Sequence, residues 1–292
     1  MPRELFINTI QGSYQAEPSG RKMVIFGRNG VIGDRIKARL EEEGHEVMLI
    51  ASPKIESVTE EMFKDIDTFF ILAYDLEPID VHIGSSEFLK KVREKALVAG
   101  VSRGVLLESI TTSKPNQPVY RDVLARAESF LSDSAIPLTS YRASLLLDVD
   151  LLLAKSISSY VADDVSPLLP DEAKEFQCQP ILLKEAVEFI VRAVDHEIER
   201  TYRFDLGGND KISYQEFVDL FVEKERRKSH TLGFSPLPKR ERLASLSSDE
   251  HTAWNVFLEK TTTDMTVDEE RDARKHFSDI KTTPLKEAIN LI

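Results

Sequence analysis

The chain has a single cysteine, Cys178, among its 292 residues. An internal disulfide is excluded, and with no export signal a reducing, cytoplasmic setting is expected. Long apolar runs are missing as well. No stretch approaches the roughly 18 residues needed to cross a bilayer. The opening MPRELFINTIQGSYQAEPSG has neither a basic start nor an apolar stretch of signal-peptide length. Positive charge is scarce: 38 Lys plus Arg against 50 Asp plus Glu leave a formal charge of −12. Such a surface repels phosphate backbones unless its basic residues cluster. The one dense basic run, Lys224-Glu225-Arg226-Arg227-Lys228, is broken by an acid and reads as a solvated helix end. No nucleic-acid or membrane partner is therefore expected. The six histidines, at 45, 82, 196, 230, 251 and 276, show no ligand spacing, so no metal site is expected. There is no G-x-S-x-G elbow and no Walker loop, and nothing places a histidine base beside Cys178.

What is present is ordinary for a globular chain: 41% apolar and 30% charged residues, in the range of soluble proteins. The length suffices to bury roughly three quarters of the unfolded surface without staples. Residues 1–20, with Pro2, Gly12, Pro18 and Gly20, have no sustained period and read as an extended arm. Regular structure begins at Met23-Val24-Ile25-Phe26, an apolar run closed by Gly27 that suits a strand buried on both faces. Val31, Ile32, Ile36 and Leu40 then predict a helix over 31–43, stopped by Gly44. Further strands are expected at 47–50, 68–73, 105–107 and 138–143. A helix is expected over 85–99, with Phe88, Leu89, Val92, Ala96 and Val98 as its apolar stripe, and another over 119–132. Strands that are apolar throughout and alternate with helices predict an α/β, doubly wound, mainly parallel sheet.

After Ala143 the rhythm changes. Residues 144–180 read as irregular. A helix is expected over 184–196, then a strand Tyr202–Leu206 ending in Gly207-Gly208. Ser213 with Glu216 forms a capping box for the next helix. Residues 225–262 are polar and weakly patterned and predict a mobile excursion or long loop, with Trp254 either a buried anchor or a contact for a partner. Pro284 opens a final helix. The division expected is an arm over 1–20, a dinucleotide-binding domain over 21–150 and a smaller C-terminal lobe over 151–292, whose strand near 202–206 returns to the sheet.

The most specific motif is Gly27-Arg28-Asn29-Gly30-Val31-Ile32-Gly33, placed between the first strand and the first helix. Gly27 turns the chain sharply out of the strand. Gly30, lacking a Cβ, lets a diphosphate approach the backbone. Gly33 allows close packing of the helix on the sheet. The unpaired amides at the helix start face the anion.

This spacing, in this layout, resembles the short-chain dehydrogenase/reductase superfamily. The likeness is nearest to its extended and atypical branches, the epimerase/dehydratase-like and NmrA-like proteins, and runs from about Met23 to Ile292. Phe70-Ile71-Leu72-Ala73 resembles the family strand whose end lies against the cofactor. Val105-Leu106-Leu107-Glu108-Ser109 resembles the strand that delivers the catalytic serine. Residues 202–208 and 277–289 resemble late segments of epimerase-like members. The resemblance implies an NAD or NADP cofactor, held by the glycine loop and Ala73. NAD-preferring members carry an acid at the end of the second strand, whereas here that strand runs into Ala51-Ser52-Pro53-Lys54. Ser52 and Lys54, with Arg28, suit a 2′-phosphate and favour NADP, unless Asp34 pairs with Arg28.

The family's chemistry uses a tyrosine as general acid/base, a lysine four residues on that lowers its pKa, and a serine that orients the substrate. Four residues on a helix place Tyr and Lys on one face, and a nearby ammonium stabilises phenolate. The candidates here are Ser109, or Thr111, and Tyr120. The lysine position is occupied by Leu124, which supplies no charge; Arg121 and Arg126 point elsewhere, and Lys114 reaches only by a detour. The resemblance therefore implies a nucleotide-binding protein with an incomplete catalytic pair, acting as a sensor, a scaffold or an altered enzyme. The alternative is an active epimerase, dehydratase or reductase on a sugar nucleotide or small carbonyl compound. Extended members pair through two helices, here 85–99 and 119–132, so a homodimer or another protein partner is consistent with the resemblance.

Overall fold

The computed structural model describes residues 20–27, 30–74, 83, 85–110, 135–162, 169–194, 201–232 and 248–292. The arm, except Gly20, and the expected helix over 119–132 lie outside them. The described strands are β1 (Lys22–Gly27), β2 (Glu46–Ala51), β3 (Thr68–Ala73), β4 (Arg103–Ser109), β5 (Leu138–Ala143), β6 (Leu146–Leu147), β7 (Gln177–Cys178), β8 (Ile181–Leu182), β9 (Tyr202–Leu206) and β10 (Ile212–Ser213). Their helices are α1 (Val31–Glu42), α2 (Ser86–Val98), α3 (Leu152–Ala162), α4 (Leu183–Arg192), α5 (Tyr214–Leu232), α6 (Ser248–Lys260), α7 (Ala273–His276) and α8 (Leu285–Leu291).

Six strands form one sheet in the order β2-β1-β3-β4-β5-β9, and each neighbouring pair is parallel. Parallel neighbours need helical crossovers, which is why the strands are apolar on both sides. The two faces separate cleanly by residue parity. Val24, Phe26, Phe69, Ile71, Leu106 and Leu138 pack against α2 through Phe88, Leu89, Val92 and Ala96. Met23, Ile25, Phe70, Leu72, Val105, Leu107 and Tyr141 pack against Ile32, Ile36 and Leu40 of α1 and Ala186, Phe189 and Ile190 of α4. Gly44 and Gly100 stop α1 and α2 with φ of 88° and 76°, backbone that side chains rarely adopt. Val98, expected on the buried stripe of α2, instead lies on its exposed side.

Two further expectations are corrected. The stretch 144–180 is not irregular throughout: it contains α3, whose sequence LLAKSISSYVA interleaves Lys155 and three serines with its apolar residues. The stretch 225–262 is not simply a loop, because α5 runs on to Leu232 and α6 covers Ser248–Lys260. Helices α3, α5 and α6 pack on one another and join the α1-side core through Tyr214, Phe217, Trp254 and Phe257. Trp254 is a buried anchor, its ring 5.3 Å from that of Phe257. Lys224 is not solvated either: its stem is buried and its ammonium donates to the carbonyl of Ile292. Helix α4 ends at Arg192, earlier than its apolar period suggested, with Ala193 as its C-cap. Arg21 and Arg103 donate to the carbonyls of Ala193 and Val194 that follow, a favourable place for positive charge. No described helix is long and apolar enough to cross a membrane.

Candidate functional site

The carboxyl ends of the strands share one edge of the sheet, and in an open sheet ligands lodge outside that edge where the strand order reverses. Here the reversal falls between β1 and β3. Gly27 closes β1; a Cβ added to it would stand 3.1 Å from Leu72 Cδ1, so packing against β3 accounts for the first glycine. Gly33 is buried in the first turn of α1, where a Cβ would stand 3.2 Å from Leu49 Cδ1. The third glycine thus serves helix-on-sheet contact.

Gly30 is different. No described atom lies within 4 Å of the place a Cβ would take. Its φ of 176° is extended backbone that any residue adopts. Nothing in the described protein asks for glycine there, whereas a phosphate approaching bare backbone would. The first intrahelical donor is Asp34, whose N–H reaches Gly30 O at 3.2 Å. The amides of Val31, Ile32 and Gly33 precede it and belong to the turn that lacks intrahelical acceptors. Val31 is half-buried and Ile32 buried, which fixes that turn to the core. Arg28 and Asn29 lie outside the described residues, so the pairing of Arg28 with Asp34 does too.

Beyond β2, Ser52 has φ of 46°, and its N–H donates to Gly27 O at 2.7 Å. The end of β2 is thereby tied to the glycine turn. Lys54 is exposed and forms no ion pair among the described residues; its carbonyl accepts from Ser57 Oγ at 2.7 Å. A lysine so placed could meet an anion beside the β2 end.

The other half of the edge is filled. Ala73 pairs in register with Glu108, and Ser109 with Ala143, so Ala73 and Ser109 meet at one edge on adjacent strands. Both are buried, at 6% and 4% exposure. Tyr120 and Leu124, with Thr111 and Lys114, lie outside the described residues. Tyr74, the residue after Ala73, was not singled out by the sequence. It is buried, and its hydroxyl donates to Ser144 O and accepts from Leu146 N, both at 2.9 Å. Ser144 is itself a hub: its Oγ donates to Met265 O at 2.6 Å and accepts from Gln179 N at 2.9 Å. The Gln179 side chain donates to Gly208 O at 2.7 Å and accepts from Val267 N at 3.1 Å.

Charges complete this half. Glu108 is buried and accepts from Ser140 Oγ at 3.3 Å. Arg142 on β5 grips Asp205 on β9 through Nε at 2.7 Å and Nη2 at 2.8 Å, and Asp268 N–H donates to the same carboxylate at 3.0 Å. The Asp205 side chain is 1% exposed. Charges inside the strand sequences LTSYRA and YRFDL were the available signal for this pair. Tyr74 gave none, because its partners lie 70 and 72 residues away.

Tyr141, Tyr214 and the Cys178 thiol are poor bases. Burial raises Tyr141, whose hydroxyl donates to Phe189 O, and raises Tyr214, whose hydroxyl donates to Thr263 O. Burial also pushes the Cys178 thiol well up, which leaves it inert as a nucleophile. Among the described residues no group of three or more His, Cys, Asp or Glu could hold a metal ion.

A mouth of bare backbone at the β1–α1 turn and a parallel sheet with its switch point beside it define a Rossmann-type fold. More particularly, the fold is shared with solved structures of sugar-nucleotide epimerases and of a hexosamine dehydratase. MoeE5, solved with UDP-glucuronic acid and NAD, superposes with a TM-score of 0.66 at 14% identity over 92% of this chain and 96% of its own. WbmH of Bordetella bronchiseptica, solved with NAD+, gives 0.63 at 17% identity over 92% and 95%. UDP-glucose 4-epimerase of Thermotoga maritima gives 0.60 at 14% identity over 92% and 96%. At these identities the likeness is one of fold. No family profile matches the sequence, and no curated protein does.

Proposed function

We propose that this chain binds NAD(P) through Gly27–Gly33 and works as an atypical member of the short-chain dehydrogenase/reductase type, as a nucleotide-binding sensor, scaffold or altered enzyme. The observation that carries this reading is Gly30. Its neighbourhood leaves room for a Cβ, so a glycine there is explained by a ligand that needs the backbone bare. The amides of residues 31–33 and the positive end of α1 would hold the diphosphate. Ala73 would lie against the cofactor beyond it. Ser52 and the ammonium of Lys54, which forms no ion pair among the described residues, would face the adenosine ribose, and the lack of an acid at residues 51–54 favours NADP. In the enzymatic alternative a bound nicotinamide would supply hydride transfer. On this chain Ser109 would orient a substrate and Tyr120 would carry the proton, with Leu124 unable to lower its pKa. The comparison proteins solved with NAD and a UDP-sugar support a dinucleotide ligand.

The test is a titration of the full chain with NADPH and NADH, followed by ligand fluorescence. Binding below millimolar concentration, weakened at least tenfold by Gly30→Val and tighter for NADPH, is expected; no binding of either removes the reading. A second reading, an active enzyme on a sugar nucleotide, is favoured by the extent of the structural likeness, which covers residues beyond the sheet. Turnover of a UDP-sugar panel that disappears in Tyr120→Phe would select it.

A further inference from the structure

We infer that Tyr74 occupies the part of the crevice a nicotinamide riboside would take, so that this chain recognises the ADP portion of its nucleotide and leaves the nicotinamide unseated. The inference rests on the nucleotide reading above and specifies which half of the ligand is held.

A dinucleotide whose diphosphate rests at the switch point has two directions to go. One nucleoside lies over β2, where the ribose 2′ position is read; the other lies over the ends of the strands on the far side. On the β2 side the described structure is open: Gly30 has nothing beside it, and Ser52 and Lys54 are exposed. On the far side the ends of β3 and β5 stand two inter-strand spacings apart, about 10 Å. Tyr74 closes that span. It leaves the end of β3 and delivers its hydroxyl to Ser144 O and Leu146 N, just past β5, at 2.9 Å each. Strand β4, which ends at Ser109, lies between them in the sheet.

The side chain is 4% exposed and its hydroxyl both donates and accepts, so this is an anchored position. Its receptor is anchored as well. Ser144 N–H donates to Leu206 O at 2.9 Å, and Ser144 Oγ is held between Met265 and Gln179. A nicotinamide ribose entering over β3 to β5 would have to break both bonds of Tyr74 and expel its ring. Among the described residues the ADP portion meets no such obstacle. The site so built has a recognisable consequence: affinity depends on the adenosine and diphosphate, and hardly on whether the nicotinamide is present, oxidised or reduced.

Isothermal titration of the full chain tests this with matched pairs: ADP-ribose against NAD+ and NADH, and 2′-phospho-ADP-ribose against NADP+ and NADPH. Affinities within fivefold inside each set are expected. A dinucleotide more than fivefold tighter than its matched ADP-ribose overturns the inference and leaves the nucleotide reading standing. No binding of any of the six up to millimolar concentration overturns both. In Tyr74→Ala, with folding checked by near-UV circular dichroism, the preference for dinucleotide over ADP-ribose should rise at least tenfold; an unchanged ratio in the folded variant counts against Tyr74 as the obstacle. If that variant does not fold, Tyr74→Phe releases the ring from its two bonds, and a ratio rising at least threefold is expected, an unchanged one again counting against it.

Discussion

Gly30 and Gly208 both follow parallel strands at the carboxyl edge of the sheet, near opposite ends, and they are glycines for different reasons. A Cβ on Gly208 would stand 2.1 Å from the carbonyl oxygen of Pro180, and one on Gly207 2.5 Å from Val267 Cγ2. A Cβ on Gly30 would meet nothing described within 4 Å. At one end of the edge the protein's own atoms explain each small residue and each buried polar group. At the other end no described atom outside the adjoining chain explains the glycine at position 30. The difference separates glycines that the fold itself requires from one that it does not, which we propose serves a ligand, a distinction the G-x-x-G-x-x-G spacing alone does not make.

The comparison is most exposed at the filled end. Replacing Arg142 by Met removes one partner of a buried ion pair and strands the Asp205 carboxylate, which is 1% exposed. A loss of about 3–5 kcal/mol in urea unfolding is expected; a loss below about 1 kcal/mol would mean that water reaches Asp205 and that this end is not closed. Next comes Gly208→Ala, where the clash is with backbone and cannot be relieved by a side-chain rotation. Overpacking of this kind costs about 2–3 kcal/mol, read as a lower urea midpoint at unchanged slope. At the open end Gly30→Val should reverse the pattern. Stability changes by less than about 1 kcal/mol, the range of N-cap substitutions, while NADPH affinity falls at least tenfold, about 1.4 kcal/mol. A variant that unfolds instead would place Gly30 in the same class as Gly208.

The parallel sheet was legible because its central strands are buried on both faces and so appear as largely apolar runs: Met23–Phe26 and Thr68–Ala73 are each found as strands within a residue or two, and Leu138–Ala143 is found as one although it carries Thr139, Ser140 and Arg142. The helix stops at Gly44 and Gly100 were legible because they need positive φ. Helix α6 was not, since the apolar residues it buries among the described side chains, Ala253, Trp254 and Phe257, span little more than one turn, too short a stripe to show a period. Helix α3 was not: Lys155 and three serines interrupt its apolar residues, and the prolines at 167, 170 and 180 that follow made the stretch read as irregular. In the candidate site, the glycine turn could be read from local spacing, whereas Tyr74, Ser144 and Gln179 act through partners from 29 to 121 residues distant. Such contacts follow from how the chain closes and leave no local pattern.

The smallest effect comes from a group that is satisfied by the protein yet sits in water, and it shows how far exposure weakens what the filled end does with burial. Ser213 and Glu216 form the capping box read from the sequence: Ser213 N–H donates to Glu216 Oε2 at 2.8 Å, Ser213 Oγ donates to the same atom at 3.0 Å, and Glu216 N–H donates back to Ser213 Oγ at 3.1 Å. Ser213→Ala should cost about 1 kcal/mol, well below the Arg142 variant. The Ser213 backbone N–H, followed by its hydroxyl, holds the Glu216 carboxyl below the ordinary carboxylate value. A carboxyl lowered in the folded state stabilises that state at pH above its unfolded value, and this contribution disappears as pH falls through the lowered one. Solvent keeps the contribution small. The stability gap between the protein and Glu216→Gln should therefore be present at pH 7 and shrink toward zero under strongly acidic conditions. A gap that stays constant across that range would show that the ionised carboxylate is not what the cap uses, and that the amide of glutamine fails there for reasons of shape.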